Sequence, residues 1–406
     1  MRSSPDIDPS QRGDLARPLT VLQLVPALDQ GGVERGTIEI ARAITNAGGR
    51  ALVASRGGRL EPALRRAGAE HIALDLSPKN PFAIRSNAQR IAEIVATEGV
   101  DILHARSRAP AWAGYLAAKR TGTRFITTYH GTYSEGFPGK RFYNGVMAKG
   151  DPTIAPTHFI ANLIRMRHKV PSNRIVVIPR GADIESFDES LVGPERTIAL
   201  ARAWGVIEDS RPIVLLPGRL TGWKGHQDMI AAIAAMKARR GETAPEMICI
   251  FAGEDGGSGH ARKLEAAIEA AGLQGDFRLV GHTADMEAAY KLASVVVSPS
   301  TAPEAFGRVA VEAQAMGRPV IASAHGGSLE TVEDGQTGWL FPPRDVEALS
   351  RALEEALGMD DSQRAHMGLA GRARVRSLFT VQAMQAATLE VYEKAAGRPF
   401  RPTQNR

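Results

Sequence analysis

Cysteine and aromatic residues are scarce in this chain of 406 residues, which contains one cysteine and only 5% Phe, Trp and Tyr. A single cysteine excludes a disulfide framework and any metal cage built from cysteines. Cys249 lies in the apolar run MICIFAG, which is typical of a buried strand. The few aromatic residues do not alternate with basic ones. This argues against a nucleic-acid partner, because single-stranded nucleic acids are bound by stacking bases on aromatic rings.

Long apolar runs are also missing. No stretch approaches the ~18 residues that a membrane-spanning helix needs. The first residues, MRSSPDIDPSQRGDLARP, lack the apolar centre of a signal peptide. The sequence therefore predicts a disordered tail over residues 1–18 and a cytoplasmic protein.

Several motifs of nucleotide and metal chemistry are absent from the sequence. There is no G-x-x-x-x-G-K-[ST], which argues against a P-loop NTPase, and there is no H-E-x-x-H or paired C-x-x-C. The only D-x-D is Asp6-Ile7-Asp8, which precedes the first predicted strand and so is not expected to hold a metal ion on a diphosphate. We expect neither a metal ion nor a cofactor.

Charge is distributed unevenly along the chain. Residues 20–185 contain 23 Lys and Arg against 13 Asp and Glu, whereas residues 186–406 contain 24 against 28. An excess of positive charge in one half predicts an anionic partner near that half, such as a membrane surface or an acidic glycan. The basic, partly amphipathic segment HFIANLIRMRHKV at 158–170 is the candidate for contact with a membrane surface.

Short apolar runs alternate with longer segments of helical periodicity, and this alternation predicts parallel sheets joined by helical crossovers. Residues 180–188 separate two such series. The predicted fold class is α/β, with two doubly wound parallel-sheet domains at 19–190 and 191–379, an amphipathic helix at 380–396 that packs back on the first domain, and a tail at 397–406. The predicted strands are LTVLQLV, ALVAS, HIALDL, DILHA, RFITTYH, PTIAP, RIVVIP, PIVLLPG, MICIFAG, FRLVG, SVVVSPS, RPVIASA and TGWLFPP.

Open parallel sheets bind ligands beyond the carboxyl ends of their strands, so residues that follow strands are the candidates for a site. Gly31 and Gly32 follow the first strand and begin a helix, whose free N–H groups suit an anion. The spacing is not the dinucleotide fingerprint G-x-G-x-x-G. A plain tight turn therefore explains this pair at least as well.

A second candidate follows the strand PIVLLP, where PGRLTGWKG flanks Arg219 and Lys224 with glycines. An arginine that chelates and a lysine that acts as a point charge together suit a diphosphate. The alternative is a solvated, charged surface loop.

A third candidate is SPSTAPEAFGRVAVEAQAMG, which places Glu304 in a loop and Glu312 eight positions later in a helix that should begin near Gly307. Carboxylates bind vicinal hydroxyls, and the helix N-terminus between them favours phosphate. A nucleotide sugar requires this combination, although either glutamate alone would be a surface residue.

Two histidines also end predicted strands. His130, in TTYHGTY, precedes a glycine at an exposed strand end, where binding or acid–base chemistry is expected. His104 ends DILHA and is expected to be a partly buried, hydrogen-bonded side chain.

Together these stretches resemble the GT-B glycosyltransferases of family 4 over nearly all of residues 19–394. The most specific part is the E-x7-E pair, followed by EAQAMGRPVIAS and GGSLETVEDGQTGWLFPPRD, while PGRLTGWKG and GGVER match the family's diphosphate loop and N-terminal glycine loop. The resemblance implies two Rossmann-like domains with the active site in the cleft between them. The turn at YHGTYSEGFPGKRFY is longer than in several relatives, so the acceptor geometry is expected to differ there.

The resemblance also implies roles for single residues. Arg219 and Lys224 would hold the diphosphate with help from backbone N–H groups, Glu312 would bind the ribose, and Glu304 would bind the donor sugar. His130 would face that sugar, and Glu330 would support the loop. The catalytic set implied is His130, Glu304, Arg219 and Lys224; the donor-binding set is Gly31, Gly32, Arg219, Lys224, Glu304, Phe306, Gly307, Arg308, Val309 and Glu312.

The implied activity is retaining, metal-independent transfer of a sugar from a UDP-, GDP- or ADP-sugar to a glycan or lipid-linked acceptor. Lipopolysaccharide or other cell-envelope polysaccharide biosynthesis is the expected setting, at the inner face of the cell membrane. One alternative is an epimerase or a phosphorylase of the same architecture, for which the sequence shows no signature. The other is a non-catalytic sugar-nucleotide-binding protein, against which the joint presence of Glu304, Lys224 and His130 argues.

Overall fold

The computed structural model describes residues 17–29 and 31–400. The chain folds as two compact units. Unit 1 runs to Ile178 and resumes at Gln382, and unit 2 comprises Pro179–Val381. Each unit is built on a parallel sheet, which confirms the predicted α/β class with two doubly wound domains.

Unit 1 contains a seven-stranded sheet in the order β3-β2-β1-β4-β5-β6-β7. The strand order reverses at β1, which pairs with β2 on one side and β4 on the other, and a ligand site is expected beyond the carboxyl ends of these strands. All residues of β1 and β4 are buried, as expected for parallel strands covered by helices on both faces. The strands are β1 (Thr20–Leu24), β2 (Arg50–Ser55), β3 (Glu70–Ala73), β4 (Ile102–Ala105), β5 (Arg124–Thr128), β6 (Thr153–Ala155) and β7 (Ile175–Val177).

Two helices of unit 1 begin at side-chain caps. At the start of Pro81–Glu98, the Asn80 side chain accepts a hydrogen bond from the Ala83 N–H, and Gly99 ends this helix with a φ of 61°. Thr157 caps the helix His158–His168 in the same way. The helices are α1 (Gly32–Asn46), α2 (Glu61–Arg66), α3 (Pro81–Glu98), α4 (Arg108–Thr121), α5 (Pro138–Asn144) and α6 (His158–His168).

Unit 2 contains a six-stranded parallel sheet in the order β10-β9-β8-β11-β12-β13. Successive strand residues point into two separate apolar clusters, as Leu215 and Leu216 do, so the sheet is covered on both faces. Cys249 is buried in β9, as the sequence predicts. The strands are β8 (Ile213–Pro217), β9 (Ile248–Ala252), β10 (Phe277–Gly281), β11 (Val295–Ser298), β12 (Val320–Ser323) and β13 (Gly338–Phe341).

Helices on both faces complete unit 2. Asp360 and Gln363 form a reciprocal capping box at the start of one of them. The helices are α7 (Pro194–Ala203), α8 (His226–Arg240), α9 (His260–Ala270), α10 (Met286–Leu292), α11 (Arg308–Ala315), α12 (Ser328–Thr331), α13 (Val346–Gly358) and α14 (Asp361–Leu378), and α15 (Val381–Ala396) follows them.

The first crossing between the units lies after Ile178, twelve residues before the predicted boundary at 190/191. The segment that follows reads as a charged loop, but Phe187 and Val192 are buried in the apolar core of unit 2. In addition, Ala182 forms a bridge with Thr380, through hydrogen bonds with Phe379 and Val381. These contacts place residues 179–192 in unit 2.

The second crossing lies after Val381, the first residue of α15, and the rest of α15 belongs to unit 1. The hydroxyl of Tyr392 in α15 lies 2.6 Å from Nδ1 of His104, whose Nε2 lies 2.8 Å from the Thr128 hydroxyl. Gln385 also donates to the Glu39 carbonyl at 2.8 Å. His104 is fully buried, more than the partial burial expected from sequence, and burial lowers its pKa well below the usual value.

The predicted terminal tails fall mostly outside the described residues, as do residues 1–16 with the Asp6-Ile7-Asp8 sequence. Within the described part, Arg17 pairs with Asp101 at 2.6 Å, and Arg398 donates to the same carboxylate at 2.8 Å. Phe400 is 8% exposed. The predicted tails at 1–18 and 397–406 therefore each contain residues that pack on unit 1.

Native stability should depend on pH through His226, which begins α8 and packs edge-on against Phe251 with ring centroids 4.9 Å apart. Burial lowers the pKa of His226 to about 3. In the unfolded chain His226 takes up a proton as the pH falls below ~6.5, whereas in the native state it stays neutral until the pH approaches its pKa of about 3. The free energy of unfolding therefore decreases by about 1.4 kcal/mol for each pH unit below ~6.5, over this range, and does not depend on His226 above it. Urea unfolding at several pH values should show a shallower dependence for His226→Gln, and equal slopes would contradict the assignment.

Candidate functional site

Two loops of unit 2 lie side by side at the carboxyl end of its sheet. Residues 218–225 follow β8 and residues 299–307 follow β11, and these two strands pair directly. Gly225 packs so closely that a Cβ there would lie 1.9 Å from the Pro299 carbonyl oxygen. Glycine is therefore required at 225, and the backbone itself holds the two loops together.

The contact between Lys224 and Glu304 is the most direct link between these loops. Lys224 Nζ donates to Glu304 Oε1 at 2.7 Å, and the two side chains are only 15% and 13% exposed. The Thr301 N–H donates to the Trp223 carbonyl at 2.8 Å, and Lys224 Nζ lies 4.6 Å from the centre of the Trp223 ring. Two residues of the predicted catalytic set are thus in contact, although 80 positions separate them.

Glu304 is held as a carboxylate by its neighbours. Burial alone would raise its pKa, but the charge and hydrogen bond of Lys224, together with the hydrogen bond from the Ser300 hydroxyl, lower the pKa below its usual value. The Ser300 hydroxyl donates to Oε1 at 2.6 Å, and His325 Nε2 lies 2.8 Å from the Ser300 carbonyl oxygen. The carboxylate is therefore charged and held in one orientation.

The glycine pair at 326 and 327 supports the Glu304 loop from behind. The Gly327 N–H donates to the Glu304 carbonyl at 2.8 Å. A Cβ on Gly327 would lie 2.3 Å from the Phe306 carbonyl oxygen, and a Cβ on Gly326 would lie 2.5 Å from that of Glu304. Only glycine permits this approach of two backbone segments.

Gly327→Ala should therefore destabilise unit 2 by about 1–3 kcal/mol, because the added methyl group meets backbone that cannot yield without moving Glu304. Gly358→Ala is the matched control, since a Cβ there meets nothing within 4 Å. Urea unfolding of the two variants measures the difference. Equal stability of the two would contradict the described packing.

The helix α11 begins between the two predicted glutamates. Gly307 precedes it with a φ of 92° and, as a glycine, has no side chain to cap this terminus. Phe306 is buried, with its ring edge-on to Phe379 at 5.7 Å, so its backbone rather than its ring is available to a ligand. The N-terminus of α11 carries the positive end of the helix dipole, which is suited to an anion.

Glu312 lies within α11 and is anchored on both of its oxygens. The hydroxyl of the buried Tyr290 donates to Oε2 at 3.0 Å, and Arg308 Nε donates to Oε1 at 3.1 Å. Burial, followed by the charge of Glu312, raises the pKa of Tyr290 well above its usual value, so the phenol remains a donor. Arg308, predicted to contribute through its backbone, thus also pairs with Glu312 through its side chain.

Arg219 is exposed in the loop after β8. Its neighbour Leu220 donates its N–H to the Glu254 carbonyl at 2.9 Å, and Gly218 approaches Gly253 so closely that a Cβ at 253 would lie 2.0 Å from the Gly218 carbonyl oxygen. Within residues 17–29 and 31–400, no carboxylate forms an ion pair with its guanidinium. The charge of Arg219 is therefore available to a ligand.

The remaining predicted site residues belong to unit 1. Gly32 begins α1 after Gly31, whose φ is 151°, and a Cβ on Gly31 would lie 2.5 Å from the Glu34 carboxylate. The carboxylate of Glu34 therefore lies beside the helix terminus that was predicted to receive a phosphate. His130 is half-buried after β5, two residues beyond the end of that strand. The expectation that these residues share a cleft with Lys224 and Glu304 stays a prediction.

Sequence reasoning missed three residues that act on the predicted ones. Tyr290 in α10 contacts Glu312, Ser300 contacts Glu304, and Trp223 stacks with Lys224. Ser300 and Trp223 lie within the motifs themselves, where their proximity in sequence is a usable signal. Tyr290 carries no such signal, because it is 22 positions from Glu312 and lies outside the motifs.

Neither a membrane span nor a metal cluster appears in the part of the chain that the structure describes. No helix there is long and apolar enough to cross a bilayer. No three His, Cys, Asp or Glu side chains there lie together as metal ligands. The expectation that transfer needs no metal stays a prediction.

Comparison with known proteins is consistent with this geometry. Residues 30–186 match the family described as Glycosyltransferase Family 4, and residues 200–374 match Glycosyl transferases group 1. The chain is 30% identical over 312 residues to a D-inositol 3-phosphate glycosyltransferase of Streptomyces avermitilis, covering 73% of this chain and 65% of the relative, slightly under two thirds of that protein's length.

Solved structures show the same fold. A glycosyltransferase from Rickettsia africae is 35% identical with a TM-score of 0.83, covering 93% of this chain and 98% of that one. The HepE protein of Anabaena, solved in complex with UDP-glucose, is 23% identical with a TM-score of 0.79, covering 93% of this chain and 100% of that one. The chain belongs to glycosyltransferase family 4 and is a glycosyltransferase of the GT-B fold.

Proposed function

We propose that this enzyme transfers a sugar, with retention of anomeric configuration and without a metal ion, from a nucleotide-diphosphate sugar to a glycan or lipid-linked acceptor. The observation that supports this most is the buried contact between Lys224 and Glu304, in the loop that leads to the start of α11. A cation, a helix N-terminus and a carboxylate at one place provide partners for a diphosphate and for the hydroxyls of the sugar attached to it.

Donor binding would exchange the partners of this ion pair. Without donor, Lys224 neutralises Glu304 at 2.7 Å. When a diphosphate arrives, Lys224 and the exposed Arg219 turn to its oxygens, and Glu304 becomes free to accept hydrogen bonds from sugar hydroxyls. Glu312, held by Tyr290 and Arg308, would accept from the ribose hydroxyls in the same way.

Cleavage of the bond between the anomeric carbon and the diphosphate oxygen leaves negative charge on the departing phosphate. Once the donor is bound, Lys224, Arg219 and the N-terminus of α11 would face this oxygen and would stabilise the charge as it develops. A bond forms from the acceptor oxygen to the same face of the anomeric carbon. The proton of the acceptor hydroxyl passes to an oxygen of the departing phosphate.

Three nucleotides are candidates for the donor. HepE of Anabaena was solved with UDP-glucose, which supports UDP as the first to test. Thermal-shift measurements with UDP-, GDP- and ADP-sugars identify the donor, because a ligand that binds only the folded state raises its stability. Product analysis by NMR then tests retention: an inverted anomeric configuration would contradict the mechanism, and an epimerised nucleotide sugar would contradict transfer.

The acceptor is proposed to be anionic and linked to the cell envelope, as in lipopolysaccharide or a related polysaccharide. The excess of 23 basic over 13 acidic residues in 20–185 favours a phosphorylated or lipid-linked acceptor over a neutral sugar. The Streptomyces avermitilis relative carries D-inositol 3-phosphate in its name, which is a phosphorylated polyol. A transfer assay that compares phosphorylated acceptors with their dephosphorylated forms tests this preference.

Contact with an anionic membrane would bring the enzyme to such an acceptor. The exposed face of α6 and its C-cap contains His158, Arg165, Met166 and Lys169, which is a basic surface with one apolar side chain. We expect sedimentation with vesicles that contain anionic lipid and weaker sedimentation after Arg165→Glu with Lys169→Glu. Equal binding to neutral and anionic vesicles would remove membrane contact from the proposal.

A further inference from the structure

Unit 2 contains a cavity of about 430 Å³ at the amino ends of its strands. The loops at 218–225 and 299–307, called the donor loops below, lie at the opposite, carboxyl ends. Ser294 and Pro319, which line it, immediately precede β11 and β12, whereas the donor loops follow β8 and β11. A four-residue strand spans roughly 13 Å, so the cavity and the donor loops are separated by the length of the sheet. Its volume lies in the range of small-molecule sites.

Basic side chains dominate the charge of this cavity. Four of them line it, together with two acidic ones: Lys291, Arg318, Arg364, Arg372, Glu189 and Asp361. The Asp361 side chain is fully exposed and pairs with Arg364 at 2.7 Å, so water screens its charge. The lining therefore retains an excess of positive charge.

The Glu189 carboxylate shows where this cavity accepts an oxyanion. Arg372 Nη2 lies 2.7 Å from its Oε1, and Arg318 donates to its Oε2. Burial would raise the pKa of Glu189, but the two guanidinium groups lower it below the usual value. Two arginines from different segments, one before β12 and one in α14, thus converge on a single pair of oxygens.

The cavity contains further hydrogen-bond donors that do not bind the Glu189 carboxylate. Lys291 Nζ donates to the carbonyl oxygens of Glu189 and Val192 at 2.9 and 2.6 Å, and within the described residues it forms no ion pair with a carboxylate. Arg372 Nε is buried without an acceptor in that same part of the chain. A ligand with more oxygens and more charge than one carboxylate would satisfy both.

We propose that this cavity binds a small molecule through a phosphate group, which takes the place of the Glu189 carboxylate between Arg318 and Arg372. A phosphate monoester carries a charge of about −1.5 to −2 at neutral pH and offers three terminal oxygens, where Glu189 offers two oxygens and one charge. Arginine pairs bind such groups in bidentate fashion. Glu189 is 36% exposed in a short turn, so its side chain has solvent to move into.

Glu189→Gln provides the first test, because it removes the competing carboxylate and keeps the shape of the side chain. Calorimetric titration with inorganic phosphate and with glucose 6-phosphate, at ionic strength fixed with chloride, should show at least tenfold tighter binding to Glu189→Gln than to the wild type. Glu185→Gln is the matched control, since it removes the same charge from an exposed site outside the cavity. Tighter binding of glucose 6-phosphate identifies a sugar phosphate as the occupant, and tighter binding of inorganic phosphate identifies the free ion.

Two further variants separate this site from the donor loops. Adding Arg372→Gln to Glu189→Gln should abolish the gained affinity, whereas adding Lys224→Ala to Glu189→Gln should leave that affinity unchanged. If Glu189→Gln is only marginally stable, phosphate should raise its Tm more than that of Glu185→Gln. Equal affinity of Glu189→Gln and Glu185→Gln, or loss of the gained affinity when Lys224→Ala is added, would overturn the proposal while leaving the proposed activity intact.

Discussion

Lys224→Ala is expected to lower kcat/KM for sugar transfer by roughly 100- to 1,000-fold, the loss that follows removal of one oriented group from a developing negative charge. Lys224 is the cation that contacts the Glu304 loop, at 2.7 Å, and it is 15% exposed, so water replaces it poorly. Lys263→Ala is the matched control, because Lys263 is exposed on α9. Steady-state kinetics with the donor identified by the thermal-shift panel provide the measurement.

Lys224→Ala should also lower the stability of the fold, and a double variant distinguishes this effect from the loss of activity. Lys224→Ala leaves the buried carboxylate of Glu304 without its cation, and one-sided removal of a buried pair is costly. We therefore expect Lys224→Ala to unfold at lower urea concentration than the double variant Lys224→Ala with Glu304→Gln, although both should lose most of their activity. Near-wild-type turnover in folded Lys224→Ala would contradict its role at the diphosphate.

Glu304→Ala is expected to lower kcat/KM by roughly 100-fold or more, because each hydrogen bond between a carboxylate and a sugar hydroxyl contributes about 1.5–3 kcal/mol. The Ser300 hydroxyl and Lys224 hold this carboxylate in one orientation. Glu265→Ala, an exposed glutamate of α9, is the control for loss of a negative charge from unit 2.

A donor that lacks a single sugar hydroxyl tests the Glu304 assignment directly. If Glu304 binds that hydroxyl, the wild type should lose activity with the deoxy donor, while Glu304→Ala should treat both donors alike. A set of deoxy donors would show which hydroxyls are bound. If every deoxy donor lowered the activity of the wild type and of Glu304→Ala by the same factor, Glu304 would not bind a sugar hydroxyl.

Much of the fold could be predicted from the sequence, because parallel strands buried on both faces appear as continuous apolar runs. All thirteen predicted strands form. The predicted boundary at 190/191 lies twelve residues after the observed crossing, because the segment between them has no continuous apolar run. Phe187 and Val192 are isolated apolar residues in a charged segment, and only the folded core of unit 2 shows that they are buried.

The site was predictable where its residues share a motif and hidden where the fold brings distant segments together. The E-x7-E spacing placed Glu304 before α11 and Glu312 within it. The contacts of Glu304 with Lys224 and of Glu312 with Tyr290 join different segments, so no local pattern could reveal them. The convergence of Arg318 and Arg372 on Glu189 is hidden in the same way, since 129 positions separate Arg318 from Glu189.

The central claim is that Lys224 binds the diphosphate of the donor, and the affinity ratio of a nucleoside diphosphate to its monophosphate tests it most directly. Calorimetry with the matching pair for the donor nucleotide, on the wild type and on Lys224→Ala, measures this ratio without any need for the acceptor. We predict a diphosphate that binds at least tenfold more tightly than the monophosphate in the wild type, and a clearly smaller ratio in Lys224→Ala, where Arg219 and the N-terminus of α11 remain to bind the diphosphate. A ratio that is unchanged by Lys224→Ala would contradict the account.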